Sequence, residues 1–260
     1  MLYAKSFAGK NLLKFLGPNG INAAIQSAFH GPAIFQVSPS NGSVAPTITG
    51  GAIATLTTVS HVQTFASANR FQATRRTRFT SAATAASATG CRTSYNQYFL
   101  GNAAGFGGFF FRCQFGQGIN LNGAQAFCGL AAQTTLLAGE ASAMLNTIGM
   151  GYDSTDASTG NWFLMRNDGT GTATKVDLGT NAARNVNDGY DLILYAKPNS
   201  AEIFVEITNL QTGTLVLSTS YTTDIPAVNT GLSFHCEARN GAVAAACGID
   251  LAKAYIETDY

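Results

Sequence analysis

Residues 191–220 read DLILYAKPNSAEIFVEITNLQTGTLVLSTS. Side chains of a strand point to opposite faces with a period of two. Ile203, Val205 and Ile207 share one face, and Glu202, Phe204, Glu206 and Thr208 share the other. Upstream, Leu192 and Leu194 alternate with Asp191, Ile193 and Tyr195; downstream, Leu215 and Leu217 mark a third strand. Lys197-Pro198-Asn199-Ser200 and Asn209-Leu210-Gln211-Thr212-Gly213 separate the three runs. Pro presets φ for a turn, Asn and Ser bond their own backbone there, and Gly supplies positive φ. Short links between alternating runs predict an antiparallel meander with one buried face. Its half-polar outer face suits contact with solvent or with another chain.

The same pattern continues outward. Strands are predicted near residues 52–60, 75–82, 106–116, 124–133, 147–154, 161–168, 174–179, 190–197, 202–209, 214–221, 232–239 and 246–259, with a short helical turn within 141–149. Many short strands joined by Gly, Asn and Asp turns indicate an all-β sandwich or jelly roll. A chain of 260 residues fits one such domain. We place it at 61–260.

Residues 1–60 read differently. Leu12, Leu13, Phe15 and Leu16 precede the breaker Gly17-Pro18-Asn19-Gly20; Ile21, Ile25 and Phe29 then recur at helical spacing. Pro32, Pro39 and Pro46 punctuate the next stretch. The reading is an N-terminal arm of short helix and coil, which either caps the sandwich or buries against another subunit. Leu12, Leu13 and Phe15 are its candidate contact residues.

Composition narrows the function. Charged residues make up 11% and the net charge is +1, against a usual charged share of about 25%. That argues against nucleic acid as the main partner and fits a β-protein in a large assembly. No apolar run is long enough to cross a bilayer as a helix, and residues 1–17 lack a signal-peptide core, so the chain reads as non-secretory. The five cysteines, Cys91, Cys113, Cys128, Cys236 and Cys247, show no C-x-x-C spacing, so free buried thiols are expected and no metal site. Asn240-Gly241 predicts a tight hairpin joining the strands that carry Cys236 and Cys247.

No nucleophile elbow, phosphate loop or zinc-protease motif appears. GFGG at 105–108 precedes a strand, not a helix, and His235 reads as structural. Asp153, Asp156 and Asp168 are the one close acidic set, and turns use Asp. Catalysis and cofactors are therefore not expected. Arg75, Arg76 and Arg78, with Arg70, cluster at 70–79. Arg forks serve protein interfaces well, so a subunit or inter-chain contact is the preferred reading over phosphate binding. Residues 150–169 carry the single Trp, Trp162. Either Trp162 and Leu164 face the core, or Trp162 stacks on a sugar with Tyr152, Asp153, Asp156 and Asn161 around it.

In series, RRTRFTSA (75–82), GGFFFRCQFG (107–116), AFCGLAAQTT (126–135), NTIGMGYDS (146–154), WFLMRNDG (162–169), YDLILYAKPNSAEIFVEITNLQTG (190–213) and GIDLAKAYIETDY (248–260) resemble a module of tailed-bacteriophage virion proteins. The match spans about 70–260, and its most distinctive piece is YIETDY. The resemblance implies a concanavalin- or laminin-G-like jelly roll, presented as a homotrimer on the virion surface after assembly in the host cytoplasm. It implies a capsid decoration protein, head fibre or short tail-associated fibre, docked to capsid or tail proteins through the arm and able to adhere to host surface glycans. The alternative is a dedicated receptor-binding tip for bacterial polysaccharide. The absence of stalk repeats or heptads favours the compact reading. The cysteines and GINLNGAQAF (118–127) depart from the module's usual composition, so no ligand residues are carried over.

Overall fold

The computed structural model describes residues 1–7, 10–16, 22–24, 33–39, 46–49, 53–56, 58–104, 106–157 and 160–258. Two large antiparallel sheets face each other. The first contains, in order, β17 (Leu215–Tyr221), β16 (Ile203–Asn209), β15 (Gly189–Ala196), β10 (Phe109–Ile119) and β19 (Gly248–Thr258). The far edge of β19 is shared. Gly248–Leu251 pair with β8 (Arg76–Thr80), and Ala254–Thr258 pair with β4 (Ala33–Ser38). Beyond them lie β7 (Thr58–Val62) and β5 (Thr47–Thr49), giving nine strands. The second sheet has seven: β14 (Thr174–Asp177), β13 (Phe163–Asn167), β12 (Thr147–Tyr152), β11 (Gln125–Ala131), β18 (Ser233–Arg239), β9 (Ala88–Thr93) and β6 (Ile53–Leu56). This is the expected concanavalin-like jelly-roll sandwich.

The opening meander forms as its alternation dictates. Ile203, Val205, Ile207, Leu192 and Leu194 are fully buried between the sheets. Asn209 Oδ1 accepts from Gln211 and Thr212 N–H, and Gly213 takes φ 73° to close the turn. Facing strands add Phe111, Phe115, Tyr152, Trp162 and Phe234. All five thiols are free and buried in this interior. Cys91, Cys236 and Cys128 lie abreast on β9, β18 and β11, and Cys113 Sγ approaches Cys128 Sγ to 3.4 Å from the opposite sheet.

Three expectations change. The arm does not extend as coil to residue 60: β4 and β5 belong to the nine-stranded sheet, β6 to the seven-stranded one, and Phe35 and Val37 are core residues. Leu12, Leu13 and Phe15 lie in a strand, because β1 (Leu2–Phe7), β2 (Lys10–Leu16) and β3 (Asn22–Ala24) form a separate three-stranded sheet. The helical face Ile21, Ile25, Phe29 lies outside the described residues. Finally, Asn240-Gly241 is not a hairpin turn. Both edges of β18 are taken by β11 and β9, so the chain must cross to the other sheet to form β19. Asn240 ties that corner, its Nδ2 lying 2.8–3.0 Å from the carbonyls of Ala82, Thr84 and Ala245.

Both outer faces are covered. Residues 132–146, with a 3-10 turn at Ala141–Ala143, run as a strap across the seven-stranded sheet. Leu137, Ala141 and Met144 pack there with Phe127 and Met165. Glycine makes the seat: a Cβ on Gly149 would meet Phe127 Cζ at 2.7 Å and Cys128 O at 2.4 Å, so only a bare backbone lets the ring lie down. Over the nine-stranded sheet, Lys5 and Lys14 of the N-terminal sheet both reach Glu206 of β16, Lys14 Nζ at 3.7 Å.

Candidate functional site

The stretch 150–169 carries the expected sugar-contacting residues, and the structure divides them. Trp162 is fully buried. Its backbone is pinned by Trp162 N–H to Ala182 O (2.8 Å) and Leu178 N–H to Trp162 O (3.2 Å). Its ring meets Tyr152 at 5.0 Å, Phe115 at 5.3 Å and Tyr190 at 6.3 Å between centroids, all edge to face. Such pairs are favoured by ring quadrupoles. Tyr152 is also fully buried, donates to Gln117 Oε1 at 2.9 Å, and has its phenol pKa pushed up by burial. Neither ring can stack on a sugar. The cause is strand phase: Trp162, Leu164, Tyr152 and Met150 point inward, and Phe163 and Asp153 point outward.

Asp153 and Asp156 are brought together by Lys175 of β14, and Asn161 pairs separately with Asp177 at the end of that strand. Lys175 Nζ bonds Asp156 Oδ2 at 2.6 Å and Asp153 Oδ2 at 3.2 Å. It also lies 4.3 Å from the centroid of the Phe163 ring. Asp153 Oδ1 accepts from Ser142 N–H at 2.9 Å, which fastens the strap, and Glu140 of the strap accepts from Ser154 N–H at 2.7 Å. Asn161 Nδ2 donates to Asp177 Oδ1 at 2.9 Å. Arg184 lies under this rim, its guanidinium 4.1 Å above the Tyr152 ring and donating to Asp156 O. Burial lowers its pKa. The rim is a carboxylate cluster in which Lys175 pairs with Asp153 and Asp156, and its exposed member, Asp177, can accept hydroxyl hydrogen bonds. Among the described residues no group of three or more His, Cys, Asp or Glu is placed to hold a metal ion.

The arginine cluster pairs within the chain. Arg78 stands opposite Asp250 in the β8–β19 register. Arg78 Nε and Nη2 donate to Asp250 at 2.7 and 2.9 Å, and Arg76 Nε donates to the same carboxylate at 2.9 Å. The Arg78 pKa is raised by its hydrogen bond to Asp250. Arg76 also bonds the carbonyls of Phe71 and Thr74 and is almost wholly buried. Both are committed to Asp250 within the chain. Arg75 is half-buried. Leu13 is half-buried, and the side chains of Leu12 and Phe15 lie outside the described residues.

A third constellation is not evident from sequence as a unit. Ser233, His235 and Glu237 alternate along the outer face of β18. His235 Nε2 lies 2.8 Å from Ser233 Oγ, and His235 Nδ1 lies 3.0 Å from Glu237 Oε1. All three are fully buried beneath the strap. The spacing resembles a nucleophile–base–carboxylate relay, but its outer contacts are to the strap backbone: Glu237 Oε2 accepts from Leu137 N–H at 2.8 Å, and Ser233 Oγ and His235 Nε2 each lie 3.0 Å from Gln133 O. It is the strap's anchor. The period of two in SFHCE is the signal that could have found it.

With this geometry, the chain is similar to solved lectins. Lectin UEA-II complexed with galactose superposes with a TM-score of 0.55 at 13% identity, over 88% of this chain and 100% of that one. Lectin II from Ulex europaeus gives 0.54 at 12% identity, over 88% and 100%. Peanut lectin with a nine-residue peptide gives 0.52 at 12% identity, over 87% and 97%. The fold is a lectin-like jelly roll. No family model matches the sequence, and no curated protein matches it.

Proposed function

We propose that this protein is a lectin-like surface protein of a tailed-bacteriophage particle, either a capsid decoration or head fibre or a short tail-associated fibre. In this reading it adheres to glycans of the host surface by binding rather than by catalysis. The observation that carries the glycan reading is the sandwich itself, shared in outline with lectins, one of them complexed with galactose. The virion reading rests on the sequence series ending in YIETDY. In the structure Tyr255–Thr258 of that ending form the last part of β19, and residues 259–260 lie outside the described residues. A homotrimer, docked to capsid or tail proteins through residues 1–32, would multiply weak sugar sites by presenting many copies.

Asp177 and Asn161, at the exposed end of the rim, are the polar partners we assign to a sugar hydroxyl in this reading. The test is twofold. Purified protein is assayed for binding to host cells and to their extracted polysaccharide, and light scattering reports its oligomeric state. Binding that is lost in Asp177→Ala and Asn161→Ala without a change in melting supports the rim. A stable monomer that binds neither cells nor polysaccharide sinks the proposal.

A further inference from the structure

We propose a second saccharide site at the opposite corner of the seven-stranded sheet, built by Tyr95, Asn96 and Gln133. It takes a neutral, hydroxyl-rich sugar. The inference rests on the glycan-binding reading but not on the rim.

The loop after β9 leaves Tyr95 77% exposed. Phe65 is more exposed, at 85%, but the polar groups around it are occupied: Thr64 N–H bonds Gln72 O, and Ser67 Oγ bonds Gln72 Oε1. Beside Tyr95 the situation is the reverse. Asn96 Oδ1 and Gln133 Oε1 are buried oxygens with no hydrogen-bond partner among the described residues. The orientation of the Asn96 amide is set by its own Nδ2, which donates to Ala132 O at 2.8 Å. Ala132 precedes Gln133, so one hydrogen bond joins the loop to the strap at this place. Gln133 is itself only half-buried, so a side-chain torsion is enough to present its oxygen outward, while the Asn96 amide stays as its bond to Ala132 O sets it.

The backbone under these groups is fixed. Thr93 Oγ1 donates to Tyr95 O at 3.3 Å, and Gln97 N–H donates to Leu232 O at 2.9 Å. A Cβ on Gly231 would meet Asn96 O at 3.0 Å, so the loop lies close on the 229–232 turn. Gln133 is clamped from below by Ser233 and His235, which face its carbonyl oxygen at 3.0 Å. An aromatic ring in water, next to unsatisfied acceptors on a rigid backbone, is what a site needs to orient a ligand.

The chemistry of the acceptors selects the ligand. Amide oxygens require donors, which a sugar supplies as hydroxyls and a carboxylate does not. Arg92, on β9 just before this loop, already donates through Nη1 to Thr93 O at 2.8 Å. The site therefore disfavours acidic sugars. The pyranose face lies on the Tyr95 ring, and a hydroxyl reaches the Gln133 amide.

Saturation-transfer NMR with galactose, N-acetylglucosamine and glucuronate tests this on the full chain. The wild type is expected to bind a neutral sugar and not glucuronate. Tyr95→Ala weakens that binding about tenfold, the scale of one aromatic contact, and Gln133→Ala weakens it with melting unchanged. Equal binding by wild type and Tyr95→Ala overturns the site, as does a preference for glucuronate. Binding lost only in Asp177→Ala overturns this site and leaves the rim standing. A wild type that binds no sugar removes the glycan reading as a whole.

Discussion

The two outer faces of the sandwich are covered by opposite means. The strap on the seven-stranded sheet is held by a dry polar anchor, Ser233–His235–Glu237, and by apolar packing of Leu137 and Met144 on Phe127 and Met165. The N-terminal sheet on the nine-stranded sheet is held through charge, two lysines meeting Glu206. A buried hydrogen-bonded anchor cannot be released in part, because each orphaned group carries its full desolvation penalty. The Lys5–Glu206 pair, with Lys5 31% exposed, is open to water and salt, whereas Lys14 and Glu206 are each only 7% exposed. The first cover is held by hydrogen bonds and apolar packing, the second by a half-exposed ion pair over a buried one.

Four experiments break or sharpen that contrast. The interior sets the scale: Trp162→Ala removes a ring with three edge-to-face partners and is expected to cost about 3–5 kcal/mol, read as a fall in melting temperature with sugar binding intact in the folded fraction. Glu237→Ala should cost about 2–4 kcal/mol by leaving the Leu137 N–H and the His235 Nδ1 contact without an acceptor. Urea unfolding checks this, and a change below about half a kcal/mol would make the strap no firmer than the arm.

Alkaline pH should separate core from arm by sign. Burial pushes the Cys113 thiol up to about 11, and the Cys91 and Cys128 thiols also upward. From about pH 9 to 11 the unfolded chain loses these protons while the folded chain keeps them, so sandwich stability falls. Lys14 behaves oppositely. Burial lowers its pKa from 10.5 more than Glu206 raises it, so the penalty on its charge is relieved as pH rises towards 10.5 and the arm holds better. Melting and proteolysis of residues 1–32, followed from about pH 8 to 10.5, should move in opposite directions. The last test is Glu206→Ala, which strips the buried Lys14 of its carboxylate partner; the N-terminal sheet should feel the loss first, and protease should cut it much faster. Unchanged cleavage would mean that charge is not what holds it.

The meander is legible because its two periodic signals, alternation and turn chemistry, agree over residues 191–220. Where the signals separate, the reading fails for identifiable reasons. β9 escapes it: ATGCRT is poor in β-branched residues, and its Gly90 is required by contact, a Cβ there falling 2.3 Å from Cys236 O. Asn240-Gly241 has hairpin chemistry, but turn preference cannot report that both edges of β18 are already occupied. Phase decides between the two readings of Trp162 in favour of the core, and takes Tyr152 with it. Alternation from Leu164 sends Trp162 inward, and a lone Trp among Asp and Asn draws the eye to the wrong face. Arg76 and Arg78 look free in sequence because Asp250, their partner, lies far along the chain. Tyr95 carries no periodic signal at all. Its exposure stems from a loop whose course depends on Leu232 and Ala132.

The shared edge of β19 has a consequence in time. Thr258 pairs with Phe109 on one side and Ala33 on the other, while Ile249 pairs with Phe79. Through this strand β4 and β8 join β10. On the ribosome, at roughly 5–20 residues per second, β4 and β8 wait with an open edge until residues 248–258 emerge. Nascent chains stalled before residue 248 should stay protease-sensitive throughout. Completing β19 should then bring protection of β4 and β8 together, so this one strand acts as the clock for both.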